Sequence, residues 1–298
     1  MRLGRAALLG AALAAAPSAA APAEVRVAGD PLPGPASRDA TAASSVVQGE
    51  RLRSAGTSTA EVLARVPGVQ ITRTGSVSDL ATAAIRGATA AETPVYLAGI
   101  RLNDDVTGVA DLSTVPPHLL GRVEVYRGAS PFDSDRAGLG GAILLEPRAP
   151  QSTELSAGAA VGSFGEQGAF VAGGAAGPRA ASLVALRRDA ATNDYSFRDE
   201  RGQLARRGNA DYTATDAWAL GRLSLPGGGR LTTLAHAYDR EQGTPGFVVV
   251  PDDRARTRTR LLLGGLSARL PCDSGASGER CSVEAVLTRL DSTAIVTD

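Results

Sequence analysis

Lysine is absent from this 298-residue chain: its basic residues are all arginine, and 31 of them balance 31 acidic residues to a formal charge of zero. Without net positive charge there is no electrostatic footprint for a nucleic-acid partner. Histidine and cysteine number two each, too few at ligand-like spacing for a metal site, and no cofactor is implied. His118 follows Pro116-Pro117 and His236 lies in a strand-like segment, neither beside a nucleophile motif. A Gly-x-Ser-x-Gly elbow and a phosphate loop are both missing, so the chain is not expected to be an enzyme. Beyond the N-terminus no apolar run approaches the roughly 18–20 residues that a spanning helix needs.

What is present begins with an export signal. Arg2 and Arg5 precede the apolar run Ala6–Ala16, and small residues from Ser18 to Ala23 supply a cleavage site at Ala21-Pro22-Ala23. Residues 1–23 are thus expected to be a secretory signal peptide. Glu24-Val25-Arg26-Val27 alternates, and the Pro-, Gly-, Ala- and Ser-rich residues that follow to Ser45 form a flexible linker. Cys272 and Cys281 bracket a Gly/Ser-rich turn between two strand-like segments. An oxidising compartment would allow them to pair as a structural disulfide.

From Val46 the pattern is that of a small α+β domain, residues 46–149. Ser58-x-x-Glu61 forms a capping box for a helix running to about Val66, where Pro67-Gly68 stops it. Short strands are expected at Val69–Arg73, Ala84–Arg86, Val95–Leu97, Val123–Tyr126 and Ala142–Leu145. Residues 150–298 change to segments of about ten residues with apolar/polar alternation. These are Thr153–Gly162, Gln167–Ala175, Ala181–Arg188, Thr213–Leu225, Arg230–Arg240, Arg258–Leu270 and Cys281–Leu290. Their short and long connections mostly alternate, as in outer-membrane barrels with short periplasmic turns and long outer loops. A soluble β-sandwich gives similar spacing, and aromatics at 4% are lean for a membrane barrel.

Four motifs then occur in order: Pro67-Gly68-Val69, Ile85-Arg86-Gly87, Val95–Ile100 with Ala98-Gly99, and Arg122–Leu145 with Glu124, Arg127-Gly128 and Gly140-Gly141. Together they resemble the plug domain of TonB-dependent outer-membrane receptors. The resemblance implies an α+β plug followed by antiparallel transmembrane β-barrel strands. About seven strands are visible where closure takes about 22, an incomplete barrel. The sequence is therefore expected to be the N-terminal portion of a receptor for energised uptake of a scarce solute, such as a ferric siderophore or cobalamin. The alternative is an outer-membrane binding or signalling receptor, or a truncated plug protein that does not transport.

The same resemblance assigns roles. Glu24, Val25, Arg26 and Val27 occupy the place of the TonB box, an extended segment able to add a strand to the inner-membrane transducer TonB. Arg86 and Arg127 match plug arginines that pair with glutamates on the barrel wall. Gly68, Gly87, Gly99, Gly128, Gly140 and Gly141 are expected at unusual dihedrals or tight approaches. The implied partners are TonB, outer-membrane lipid and a small-molecule or metal-chelate ligand, and the loops at Arg73–Asp79 and Asn103–Thr107 are candidate ligand contacts. Asp104 and Asp105 also read as solvated turn residues. Two departures stand out: Ala98-Gly99 replaces a common Asp-Gly, and Phe132–Arg136 occupies the place of a common Tyr-Gly.

Overall fold

The computed structural model describes residues 44–52, 57–75, 79–128, 138–199, 201–247, 250–272 and 281–297. The leader, the Glu24–Val27 segment, the Phe132–Arg136 loop and the Asp273–Arg280 turn lie outside these residues.

The first unit contains β1 (Ser44–Gln48), α1 (Thr59–Ala64), β2 (Val69–Arg73), β3 (Ala81–Ile85), β4 (Val95–Leu97), β5 (Ile100–Arg101), β6 (Leu120–Tyr126) and β7 (Ala142–Pro147). A five-stranded sheet runs in the order β1-β6-β7-β4-β5, with β2 and β3 forming a separate ribbon. Among the described residues, only β4 and β7 pair in parallel. Helix α1 starts where the sequence signals it: Ser58 Oγ accepts from the Glu61 amide while the Glu61 carboxylate accepts from the Ser58 amide. The helix ends two residues before Val66, because Arg65 already leads into the Pro67-Gly68 exit. Val62, Leu63 and Val66 are buried beneath it.

The β4–β5 hairpin turns on Ala98 and Gly99, at φ 54° and 84°. Two consecutive left-handed residues are the signature of a type I′ hairpin, which favours Asn or Asp before Gly. Ala98 adopts that conformation without a side chain that offsets its cost. The Gly140-Gly141 pair is equally constrained. Gly141 sits at φ 130°, and a Cβ there would lie 1.8 Å from the Tyr126 carbonyl oxygen.

The second unit is a seven-stranded sheet of β8 (Glu154–Val161), β9 (Gln167–Ala176), β10 (Ala180–Ala191), β13 (Tyr212–Ser224), β14 (Arg230–Gly243), β17 (Arg256–Cys272) and β18 (Cys281–Thr297). Two small ribbons, β11 (Tyr195–Arg198) with β12 (Leu204–Arg207) and β15 (Gly246–Phe247) with β16 (Val250–Pro251), stand in the two long loops. Every pairing in the large sheet is antiparallel, between long strands consecutive in sequence. This up-and-down order is that of a barrel wall, whereas a Greek-key sandwich would interleave its strands. β17 and β18 reach 17 residues each: β17 gains two residues at each end of its alternating stretch, and β18 continues past Leu290 to Thr297.

Alternation sorts the wall into two faces. On β13, Ala214, Asp216, Trp218 and Leu220 are buried, and on β14 Leu234, His236, Tyr238 and Arg240 are buried. The intervening positions point the other way, where Leu155, Val184, Leu186, Leu262, Leu266 and Leu287 are exposed. One apolar cluster joins Leu63, Ile85, Leu97, Ile100 and Leu145 of the first unit to Leu183, Trp218, Leu220, Leu234 and Leu263 of the wall. The first unit is therefore packed on the wall's inward face.

Two measurements follow. Ala98→Asn should raise stability by roughly 1 kcal/mol, since Asn tolerates the left-handed region that costs Ala about that much; a lower denaturation midpoint would count against the type I′ assignment. The register also sets Cys272 directly opposite Cys281. Alkylation of the native protein should therefore find no free thiol until a reductant is added, and reduction should cost roughly 2–3 kcal/mol.

Candidate functional site

The motif residues of the first unit gather at one corner. Arg86, Gly87, Gly128 and Gly140 line an open hollow of about 380 Å³ with Ala88, Glu92 and Leu139. Arg86 takes a left-handed backbone (φ 52°). Its amide donates to Gly68 O at 3.0 Å, and its guanidinium donates to Arg127 O at 3.2 Å. Arg127 in turn donates through Nε to Pro67 O at 2.8 Å and through Nη2 to Ser45 Oγ. Burial first, and then the neighbouring Arg86 charge, lower the Arg127 pKa. These bonds of Arg86 and Arg127 all end on the plug-side unit. Gly68, Gly87 and Gly128 share left-handed φ values of 81°, 83° and 105°. Glu124 lies apart from this corner: it is fully buried on β6, accepting from Tyr126 Oη at 2.6 Å and paired with Arg122 at 2.6 Å.

The candidate contact loops differ from one another. Asp104 Oδ1 accepts from the Val106 and Thr107 amides at 3.0 and 2.8 Å, which holds its carboxyl below the usual range; its role is to fold the turn. Buried Asn103 fixes the same loop by accepting from Val95 N at 2.8 Å and donating to Gly108 O at 2.9 Å. Asp79, in contrast, is drawn into an ion pair with Arg240 of β14.

That pair is one of several side-chain contacts across the interface. Arg187 of β10 donates through Nη2 to Ser113 O at 3.0 Å, while pairing with Asp216 at 2.6 Å and Asp189 at 3.2 Å. His118 stacks on Phe170 of β9, with ring centroids 3.8 Å apart and planes 10° from parallel. A second stack, Trp218 on His236 at 3.7 Å, lies within the wall. Close backbone approach completes the fit, because a Cβ on Gly265 would meet Ile100 Cδ1 at 2.5 Å. The wall arginines and carboxylates carry no local sequence signal. Only alternation, placing Arg187, Asp216 and Arg240 in the same phase as buried neighbours, could have singled them out.

Chemically, the arrangement is a clamp. Each wall guanidinium is desolvated and must keep its partners, so displacing the inner unit exposes unpaired charge or rebuilds the pairs. Asp216→Ala should destabilise the fold by roughly 3–5 kcal/mol, the cost of leaving a buried partner uncompensated, measured by denaturant titration. Burial, then the Arg187 and Arg148 charges, lower the His118 imidazole from 6.5 to about 3. Unfolded chain takes up this proton below 6.5, folded chain only near 3. The neutral imidazole's contribution is therefore complete above 6.5 and is lost as pH falls through that window. Melting temperature should drop more steeply between pH 6.5 and 3 in the parent than in His118→Phe.

Comparison with known proteins identifies the two units. Residues 36–142 match the family model for the TonB-dependent receptor plug domain. The fold is similar to that of the copper transporter OprC (16% identity, TM-score 0.57, covering 83% of this chain and 36% of that one). It is also similar to the ferric citrate transporter FecA in its unliganded form (18% identity, TM-score 0.59, 86% and 41%). A third similar structure is the siderophore receptor PiuA from Acinetobacter baumannii (16% identity, TM-score 0.58, 86% and 37%). The chain thus spans well under half the length of these structures. Residues 36–142 thus match the plug domain of TonB-dependent receptors by sequence, and the wall that follows has a fold similar to the corresponding part of these structures.

Proposed function

We propose that this chain is the N-terminal portion of an outer-membrane receptor that takes up a scarce metal or metal chelate, a ferric siderophore or a cobalamin-like solute, with energy drawn through TonB. The observation that carries this reading is the plug's seating: it fills the inward face of an up-and-down wall and is held there by Arg187, Arg240 and a shared apolar core. A plug so held is an obstruction that must be moved, and moving it against buried ion pairs calls for an external energy source. The structurally similar proteins named above are a copper transporter, a ferric citrate transporter and a siderophore receptor, which supports metal-containing cargo. The exposed leucines and valines of the outward face suit contact with membrane lipid. Arg86 and Arg127, which stay on the plug here, are placed in this reading to meet carboxylates on wall strands beyond these seven.

In this reading Glu24–Val27 engages TonB by strand addition, for which main-chain hydrogen bonds supply the affinity. A peptide spanning residues 21–45 should bind the TonB C-terminal domain, and Val25→Pro should abolish both that binding and energised uptake, since proline removes a ladder donor. Ligand binding that persists while uptake is absent with an intact proton gradient would instead mark a surface receptor that does not transport.

A further inference from the structure

Between the plug and strands β8–β10 lies a cavity of about 180 Å³, lined from the plug by Ser58, Ser113 and His118 and from the wall by Glu166, Arg187 and Asp189. It belongs to neither the motif corner nor the Arg240–Asp79 contact. A space of this size holds several waters, provided polar groups face it. Ser113 Oγ and His118 Nε2 are both buried without a hydrogen-bond partner in the protein, and Ser113 is only 6% exposed. Buried polar atoms that the chain leaves unsatisfied call for a polar guest.

The charge of the lining decides which guest. Two carboxylates, Glu166 and Asp189, face one guanidinium, and that guanidinium is already shared with Asp216. The balance is negative. Glu166 has no ion-pair partner among the described residues, and burial, followed by repulsion from Asp189 and Glu61, raises its pKa, with Arg73 acting weakly against the shift. His118 adds no positive charge, being held neutral by burial beside Arg187. A small cation therefore relieves repulsion in this space, while an anion would add to it.

We propose that this cavity is a hydrated vestibule between plug and wall that admits small monovalent cations, of the ammonium class and size, in preference to anions. Its selectivity comes from Glu166 and Asp189, and its polar floor from Ser113 and His118. The small residues Gly158, Ala160 and Gly168 line its wall side. The inference rests on the plug-in-barrel fold and not on uptake, so neither stands or falls with the other.

The test is thiol accessibility in the receptor as the cell makes it, in isolated outer membranes, with Cys272→Ser and Cys281→Ser removing native thiols. Ala160→Cys and, separately, Ser113→Cys place a thiol on each side of the cavity. Each is reacted with a trimethylammonium and a sulfonate methanethiosulfonate reagent, with rates normalised to those of a free thiol in solution. The cationic reagent should be favoured by roughly tenfold or more, and Glu166→Gln should pull the ratio toward one. Ala160→Cys alters only the wall side and keeps the test readable if Ser113→Cys fails to fold. A ratio at or below one, a ratio unmoved by Glu166→Gln, or no reaction of the Ala160→Cys variant with either reagent would overturn the proposal.

Discussion

Everything in this structure depends on one apolar core that belongs to two units at once. The inward face of the wall presents Trp218, Leu220, Leu234 and Leu263, side chains that water would solvate poorly, and they become dry only against Leu97, Ile100 and Leu145 of the plug. The plug in turn is a thin five-stranded sheet with one six-residue helix, too small to enclose a generous core by itself. Each unit completes the other, and hydrophobic burial of this kind sets proximity without setting orientation.

Orientation comes from the polar contacts set into that core. Arg187 reaches a carbonyl of the plug while two wall carboxylates balance its charge, and Arg240 holds the Asp79 loop. Desolvated guanidiniums are unforgiving of misalignment, since a lost partner costs more than the pair contributes. The chain's exclusive use of arginine suits such contacts, because the planar fork satisfies two or three acceptors in fixed directions, where a lysine ammonium would act as a point charge. Between these contacts the glycine- and alanine-rich wall lets neighbours approach closely, Ile100 at Gly265, Phe170 at Gly158 and Asp189 at Gly168.

Some of this was legible in the chain and some was not, for identifiable reasons. The capping box at Ser58–Glu61 and the Pro67-Gly68 stop are local chemistry, and they mark α1 and β2 within a residue or two. Alternation over β13, β14 and β17 marks the wall because one face of each strand is dry. β9 and β10 alternate weakly in sequence since Gly and Ala fill either face, yet the pairing to β8 and β13 extends them fully. β5 and its turn were hidden because Ala98 stands where a turn-forming side chain would have announced them. The Arg187–Asp216 pair joins residues 29 apart in sequence across neighbouring strands, and among 31 arginines nothing local distinguishes it.

The placement of β1 has a mechanical consequence. It is an edge strand, paired antiparallel with β6 alone, and its first residue, Ser44, lies opposite Tyr126 at the end of the ladder. Tension entering the chain from the N-terminal side would load these hydrogen bonds one after another, as in unzipping, and not all together in shear. The first rungs to part are those at Ser44 and Ser45, where the Arg127 side chain also fastens the strand to the plug. At the opposite end, Arg148 ties the plug's exit to β8 through Glu154 at 2.5 Å and Ser156 at 3.2 Å. A plug pulled from one end and moored at the other would begin to peel at the β1 edge, where Arg127 fastens Ser45.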